Sequence, residues 1–340
     1  MDIKLKKFKR KAVLFSLISV LFSVLFVTIF SQNFKTTYED RIPGSNIRIK
    51  VMDTYVRNFE TYLGDSIKIS TYRTLDAITN IKHTERAFFT DEASFNTTFS
   101  ECMKCGYTNC VARVTECNLQ YYLEARLNNI TNLSDEELNI KTTYKINSIK
   151  IEHESAFNVR TTVNISYNVT DDSEELNYAR WNKNIIVEQS VSIIGLLDPI
   201  GNINDGTNTY NRTIKEYTGT CQGDPSCWDP TNTEEFYEDM SFTLAKDRGI
   251  SFLQRYWNDT TPSKYGIETI IHPTELPSPD GNNSFIDRRY WNNTFTCNYN
   301  PGMSISIYVL DGEYVSLDSN SSSWYGLTVG DMYGIVCPRI

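Results

Sequence analysis

The chain has 340 residues, room for two domains at about 150 residues each. Glycine and proline are scarce, at 16 and 10, and hydrophobic residues make up 40 %, so collagen-like and wholly disordered states are excluded. The net charge is −9, although Lys4, Lys6, Lys7, Lys9, Arg10 and Lys11 crowd the first 11 residues; the acidic remainder repels a phosphate backbone, and no nucleic-acid partner is expected.

Ala12 to Phe30 is a run of 19 uncharged residues. As a helix it would reach about 28 Å, the thickness of a bilayer's hydrocarbon core. The basic residues before it predict a cytoplasmic N-terminus, with everything after Ser31 outside. A cleaved signal would have a shorter apolar run and an A-x-A-like site, and Ser31-Gln32-Asn33-Phe34 offers none. The expected order is a basic tail over 1–11, a transmembrane helix over 12–30, a helical neck with a cysteine cluster over 31–135, and a β-rich extracytoplasmic domain over 136–340. Lys11-Ala12-Val13-Leu14 also fits the loose pattern cut by archaeal type IV prepilin peptidases. Such a cut would keep the hydrophobic helix on a pilin-like subunit, although Leu17 stands where bacterial pilins carry glutamate.

Pro43-Gly44 marks a turn within 38–46. From Ile47 to Ile81, apolar residues recur at three-to-four spacing through Val51, Tyr55, Phe59, Leu63, Ile67, Leu75 and Ile78, which predicts a long amphipathic helix. It either packs on its own domain or associates with a second copy as a stalk. Phe95–Ser100 reads as loop, and residues 110–129 as a second helix. The period then changes to two. Thr142–Glu152, Phe157–Val169 and Asn184–Leu196 read as strands that pair antiparallel. Residues 170–173 and 201–206 read as turns or loops. Phe242–Arg255 is weakly helical, and Val309–Val315 is a hairpin about Asp311-Gly312. Helical and strand periods segregate along the chain, so the fold class is α+β with a mainly antiparallel ectodomain.

All eight cysteines follow the expected span: Cys102, Cys105, Cys110, Cys117, Cys221, Cys227, Cys297 and Cys337. In an oxidising compartment they read as disulfides, with proximity favouring Cys221–Cys227. Zinc binding by the 102–117 cluster is the lesser reading, because its second pair is spaced at six. Sequons occur at Asn96, Asn129, Asn132, Asn164, Asn168, Asn211, Asn258, Asn282, Asn292 and Asn320, all on the expected outer side. His83, His153 and His272 form no metal or protease motif, and no P-loop, nucleophile elbow or dinucleotide fingerprint is present. No catalytic, cofactor or metal site is expected. The oxygen-rich Asn202–Asn208 stretch lacks EF-hand spacing and reads as plain loop. The sequon-free interval between Asn211 and Asn258 contains Cys221, Cys227 and Trp228. Trp228 either joins a contact surface on a disulfide-closed loop or plugs that loop onto the core.

Four segments carry a family resemblance: Ile193–Ile200 (IIGLLDPI), Ile250–Arg255 (ISFLQR), Tyr265–Thr269 (YGIET) and Ser284–Asp287 (SFID). They resemble stretches of uncharacterised single-pass surface proteins of small-genome archaea. Leu197 and Ile200 depart from the Glu-Asp-Pro-Leu-Tyr-like wording of that group. The resemblance implies a membrane helix, a helical neck and a β-rich, cysteine-containing body, and it implies no activity. The expectation is a non-enzymatic, membrane-anchored surface protein that contacts another surface protein or a glycan, with a homo-oligomer through the neck helix as a further association. A pilin-like filament subunit and an envelope hydrolase or thiol oxidoreductase are the alternatives.

Overall fold

The computed structural model describes residues 41–105, 122–171, 180–204, 210–271, 283–287, 305–310, 313–318 and 323–327. The expected span over 12–30 lies outside them, and among the described residues no helix is long and apolar enough to cross a membrane. Contacts divide the chain into Met1–Asp53 and Thr54–Ile340. Of the first unit only the opening turns of helix α1 (Arg41–Glu85) are described, and every contact below lies within the second. The helix starts six residues before Ile47 and absorbs Pro43-Gly44, expected as a turn. First-turn N–H groups have no intrahelical acceptor, so proline there forfeits no bond.

From Thr54 onward α1 buries Val56, Phe59, Leu63, Ile67, Leu75 and Ile78; the Phe59 ring meets Tyr167, and the Leu75 carbonyl accepts from Tyr256. Between Gly64 and Thr74 the buried face turns small and polar, with Ser66, Ser70, Thr71 and Thr74. Small residues bring the helix close: a Cβ on Gly64 would lie 2.9 Å from Gln189, and Thr71 donates to Thr161 across 2.9 Å. Glu60 accepts from Tyr167 and, at 2.8 Å, from Lys183. Burial opposes its charge, but these two partners hold its carboxyl below the usual range.

Helices α2 (Glu92–Cys105) and α3 (Leu123–Leu138) follow. The loop expected at Phe95–Ser100 is therefore helix. Its Phe95, Phe99, Cys102 and Met103 are spaced three to four apart and buried, and Asp91 accepts from the Ser94 N–H at 2.7 Å as its cap. The second helix is expected over 110–129; residues 106–121 lie outside the described residues, and α3 continues past 129 to Leu138. Its Arg126 carbonyl accepts from Tyr62 of α1, and its Ser134 hydroxyl donates to Tyr55. Asn139, at φ 51°, ends it in the left-handed region that asparagine tolerates.

The strands β1 (Ile140–His153), β2 (Asn158–Asp171) and β3 (Arg180–Ser192) form an antiparallel sheet in that order. Strand β2 alternates through buried Val159, Thr161, Val163, Ile165, Tyr167 and Val169, the face expected from its period. The register of β1 shifts at Asn147, which is left without a partner as a bulge. Helices α1, α2 and α3 pack on this sheet, and from Thr54 onward the expected neck lies in the same unit as the sheet, Thr54–Ile340.

Beyond Ser192 the elements are short: α4 (Pro199–Asn204), α5 (Pro230–Glu238), paired β4 (Thr243–Leu244) and β5 (Ile267–Glu268), and the sheet β6-β7-β9-β8. That sheet comprises β6 (Ile270–Ile271), β7 (Asn283–Ile286), β8 (Ile305–Leu310) and β9 (Glu313–Asp318), with only β7 and β9 parallel. Strands β8 and β9 pair antiparallel with Leu310 opposite Glu313, as the expected hairpin requires, and residues 311–312 lie outside the described residues. The helix expected over Phe242–Arg255 is instead β4 and two 3₁₀ turns, Lys246–Arg248 and Leu253–Tyr256. Phe242, Thr243, Ser251, Phe252 and Arg255 are all buried, a pattern no single helix face produces, and Gly249 interrupts it. Asn202–Asn204, read as loop, lie in α4, and 205–209 lie outside the described residues. The architecture is α+β with an antiparallel sheet.

Candidate functional site

The end of β1, the turn after it and the segment 251–265 enclose a cleft of about 490 Å³. Its walls include Glu92, Glu152, His153, Gln254, Trp257 and Tyr265. His153 is sealed into the wall. The Leu253 N–H donates to its Nε2 at 3.1 Å, its Nδ1 faces the Ser155 carbonyl at 3.4 Å, and its ring stacks on Tyr265. Burial pushes its pKa down to about 4, so it is neutral near pH 7. Both nitrogens have hydrogen-bond partners.

Three of the four carboxylates around it are also engaged, and the fourth, Glu92, is exposed. Glu152 pairs with Lys150 at 2.8 Å and Glu154 with Arg160 at 2.8 Å. Asp259 accepts from the Thr261 N–H and hydroxyl and from Gln254. Burial resists its charge, yet these donors hold its carboxyl below the usual range. Trp257 is half-buried beside Phe95. The arrangement offers hydrogen-bonding edges and an aromatic side. Among the described residues no cluster of three or more His, Cys, Asp or Glu could hold a metal.

Behind the cleft lies a buried ion network. Arg255, from the same 3₁₀ turn as Gln254, donates to Asp198 at 3.1 Å, to Asp287 at 2.6 Å and to the Ile267 carbonyl at 3.0 Å. All three charged side chains are fully buried. Tyr210 donates to the other oxygen of Asp198 at 2.6 Å. Next to them Glu268 accepts from Tyr325 at 2.7 Å, and Arg212 donates to Thr269 and to the Ile270 carbonyl. Burial pushes the Asp287 carboxyl up to about 6; Arg255 pulls against this, while Asp198 and Glu268 add to the rise. Asp198, Arg255, Glu268 and Asp287 come one from each of the four segments that carry the family resemblance. Those segments share one centre, and two of them also supply the cleft wall through Gln254 and Tyr265.

The cleft and the network are not among the residues expected to act from sequence alone. The network had a readable signal: Asp198, Arg255 and Asp287 each stand next to apolar residues, where an ion is buried only if paired.

Among the described residues all four cysteines are in disulfides. Cys221 joins Cys227, with Cα atoms 5.1 Å apart, and Cys102 and Cys105 are bonded too. Cys110, Cys117, Cys297 and Cys337 lie outside the described residues. Of the sequon asparagines, Asn129, Asn132, Asn211 and Asn258 are exposed and Asn96, Asn164 and Asn168 half-buried; Asn282, Asn292 and Asn320 lie outside. Trp228 takes the second of its two expected roles. It is 5 % exposed, with its ring against Tyr217, Phe236 and Tyr325, so it plugs the Cys221–Cys227 loop onto the core and its ring is not offered to a partner.

Comparison with protein-family models, curated proteins and solved structures finds no match.

Proposed function

We propose that the chain is a membrane-anchored surface protein whose body lies outside the cytoplasm and binds rather than catalyses. The observation that carries this reading is the state of the cysteines: each described one is in a disulfide, a state that cytosolic reductants oppose and secretory spaces favour. The basic tail over 1–11, the apolar run over 12–30 and the accessible sequon asparagines agree with it, as does the resemblance to archaeal surface proteins. For the binding surface the reading takes the cleft beside Trp257. Its histidine and three of its four carboxylates are already engaged, which favours recognition of a polar ligand such as a glycan, or a partner surface, over bond cleavage.

The test uses intact cells and an external protease. The body should be removed from outside, and the Cys221 and Cys227 peptides should run as one linked species without reduction. A protected body with alkylatable thiols at both positions would overturn the reading. The binding half is tested separately by attachment to cells or to immobilised neutral oligosaccharides. Trp257→Ala should weaken attachment while the thermal midpoint stays within a few degrees; unchanged attachment would remove the cleft from the proposal.

A further inference from the structure

The outer face of the β1–β2–β3 sheet, opposite α1, is polar and partly charged, and at its centre small polar side chains surround one apolar residue. Asn164, Ser166 and Asn168 of β2 stand on it, flanked by exposed Thr143 and Lys145 of β1 and Asn182, Asn184 and Ile186 of β3. Ile186 is 65 % exposed, the most exposed large hydrophobic side chain among the described residues, and it pairs directly with Asn164. Asn164 and Asn168 both begin sequons, Asn164-Ile165-Ser166 and Asn168-Val169-Thr170. Strand alternation puts each asparagine and its hydroxyl residue on the same side, with the two asparagines about 13 Å apart.

The hydrogen bonds on this face use the carbonyl side of both amides. The bulged Asn147 donates its Nδ2 to Asn164 Oδ1 at 3.1 Å, and Arg180 Nε donates to Asn168 Oδ1 at 2.7 Å. Attachment of a sugar consumes an N–H of the amide and leaves that carbonyl as an acceptor. Both bonds therefore survive modification, and the modified nitrogens are the atoms those bonds do not use.

We propose that this face carries N-linked glycans on Asn164 and Asn168, and that the first sugar on Asn164 covers Ile186. The inference rests on the extracytoplasmic reading above. In the transfer, Nδ2 attacks the anomeric carbon of a sugar carried on a lipid phosphate. A C–N bond forms, the anomeric C–O bond breaks, the lipid phosphate leaves with the electron pair, and one amide proton passes to a base of the transferring enzyme. A pyranose ring has an apolar face of C–H groups, and Ile186 across the ladder offers it matching surface at strand-pair distance.

The full chain from its own cells is digested with trypsin and analysed without reduction. Both sequons fall in one peptide, Thr161 to Arg180. That peptide should carry two glycans. If either asparagine is unmodified while Asn129 or Asn211 carries sugar and Cys221–Cys227 is linked, this inference fails and the compartment reading stands. If no sequon is modified and the thiols alkylate, both fail. Cover of Ile186 is read by thermal unfolding: Ile186→Ser should lower the midpoint by about 2 °C in the glycosylated protein and leave it unmoved in an Asn164→Gln background. Equal shifts in the two backgrounds would overturn the contact.

Discussion

Arg255 shows how one side chain can hold several segments. It gathers two carboxylates and a backbone carbonyl from three parts of the chain, and it is fully buried. Removing one partner of a buried pair is far more damaging than replacing the pair, because the remaining charge is stranded. Arg255→Met is therefore expected to cost about 3–5 kcal/mol, measured by denaturant unfolding of the purified chain; a loss below about 1 kcal/mol would show that Asp198 and Asp287 re-solvate without it. Asp287 makes a second, pH-dependent prediction. Its carboxyl titrates near 3.8 when unperturbed and at about 6 when folded. Between those values the folded protein keeps a proton that the unfolded chain has released. The contribution to stability is then full below about pH 4 and is lost as pH rises through 6. Asp287→Asn lacks this dependence, so the wild-type advantage should shrink by up to about 3 kcal/mol from pH 4 to 7. An advantage that grows with pH would mean a carboxylate ionised throughout.

At the scale of elements, legibility followed periodicity. The long strands and α1 were readable because α1, β2 and β3 each repeat a single period for a dozen residues or more, and β1 keeps its period on either side of the bulge at Asn147. Helix α2 was missed because Asn96, Thr97, Thr98 and Ser100 look like loop, although Phe95, Phe99, Cys102 and Met103 already form a helical stripe. The stretch 242–256 was misread for another reason. Its buried residues point all round, with a break at exposed Lys246 and Asp247, so neither period appears, and tertiary contacts decide its shape. Its clearest constraint is backbone proximity: a Cβ on Gly266 would lie 2.3 Å from the carbonyl oxygens of Gly249 and Lys246. No side chain can yield there, because the opposing atoms are backbone. Gly266→Ala should therefore cost at least about 2 kcal/mol, where an alanine in open space would cost little. A midpoint unchanged by Gly266→Ala would mean that the two strands of backbone separate freely. The cleft was not legible at all. It needs the end of β1 and the turn at Leu253–Tyr256 to meet, and their 100-residue separation leaves no local signal beyond the four segments of the resemblance.

For the whole molecule, the compact unit and the apolar run pose a division of labour. Thr54–Ile340 buries its helices and strands in one unit, with its described cysteines closed. The run Ala12–Phe30 has no charged residue and matches a bilayer's thickness at about 28 Å. If it anchors the chain, its removal changes location and leaves the fold intact. The full chain should stay with membranes through an alkaline carbonate wash, and a chain lacking Ala12–Phe30 but given a cleavable export signal should be released in soluble form with the same thermal midpoint. Release of the full chain by carbonate would refute the anchor. Loss of folding in the shortened chain would show instead that the run belongs to the packed body. The mature N-terminus from the same membranes separates the two ways of using such a helix. Met1 or Asp2 keeps the basic tail that orients a single span, whereas Val13 removes all six basic residues and leaves an apolar helix at the N-terminus, suited to packing among its copies in a filament.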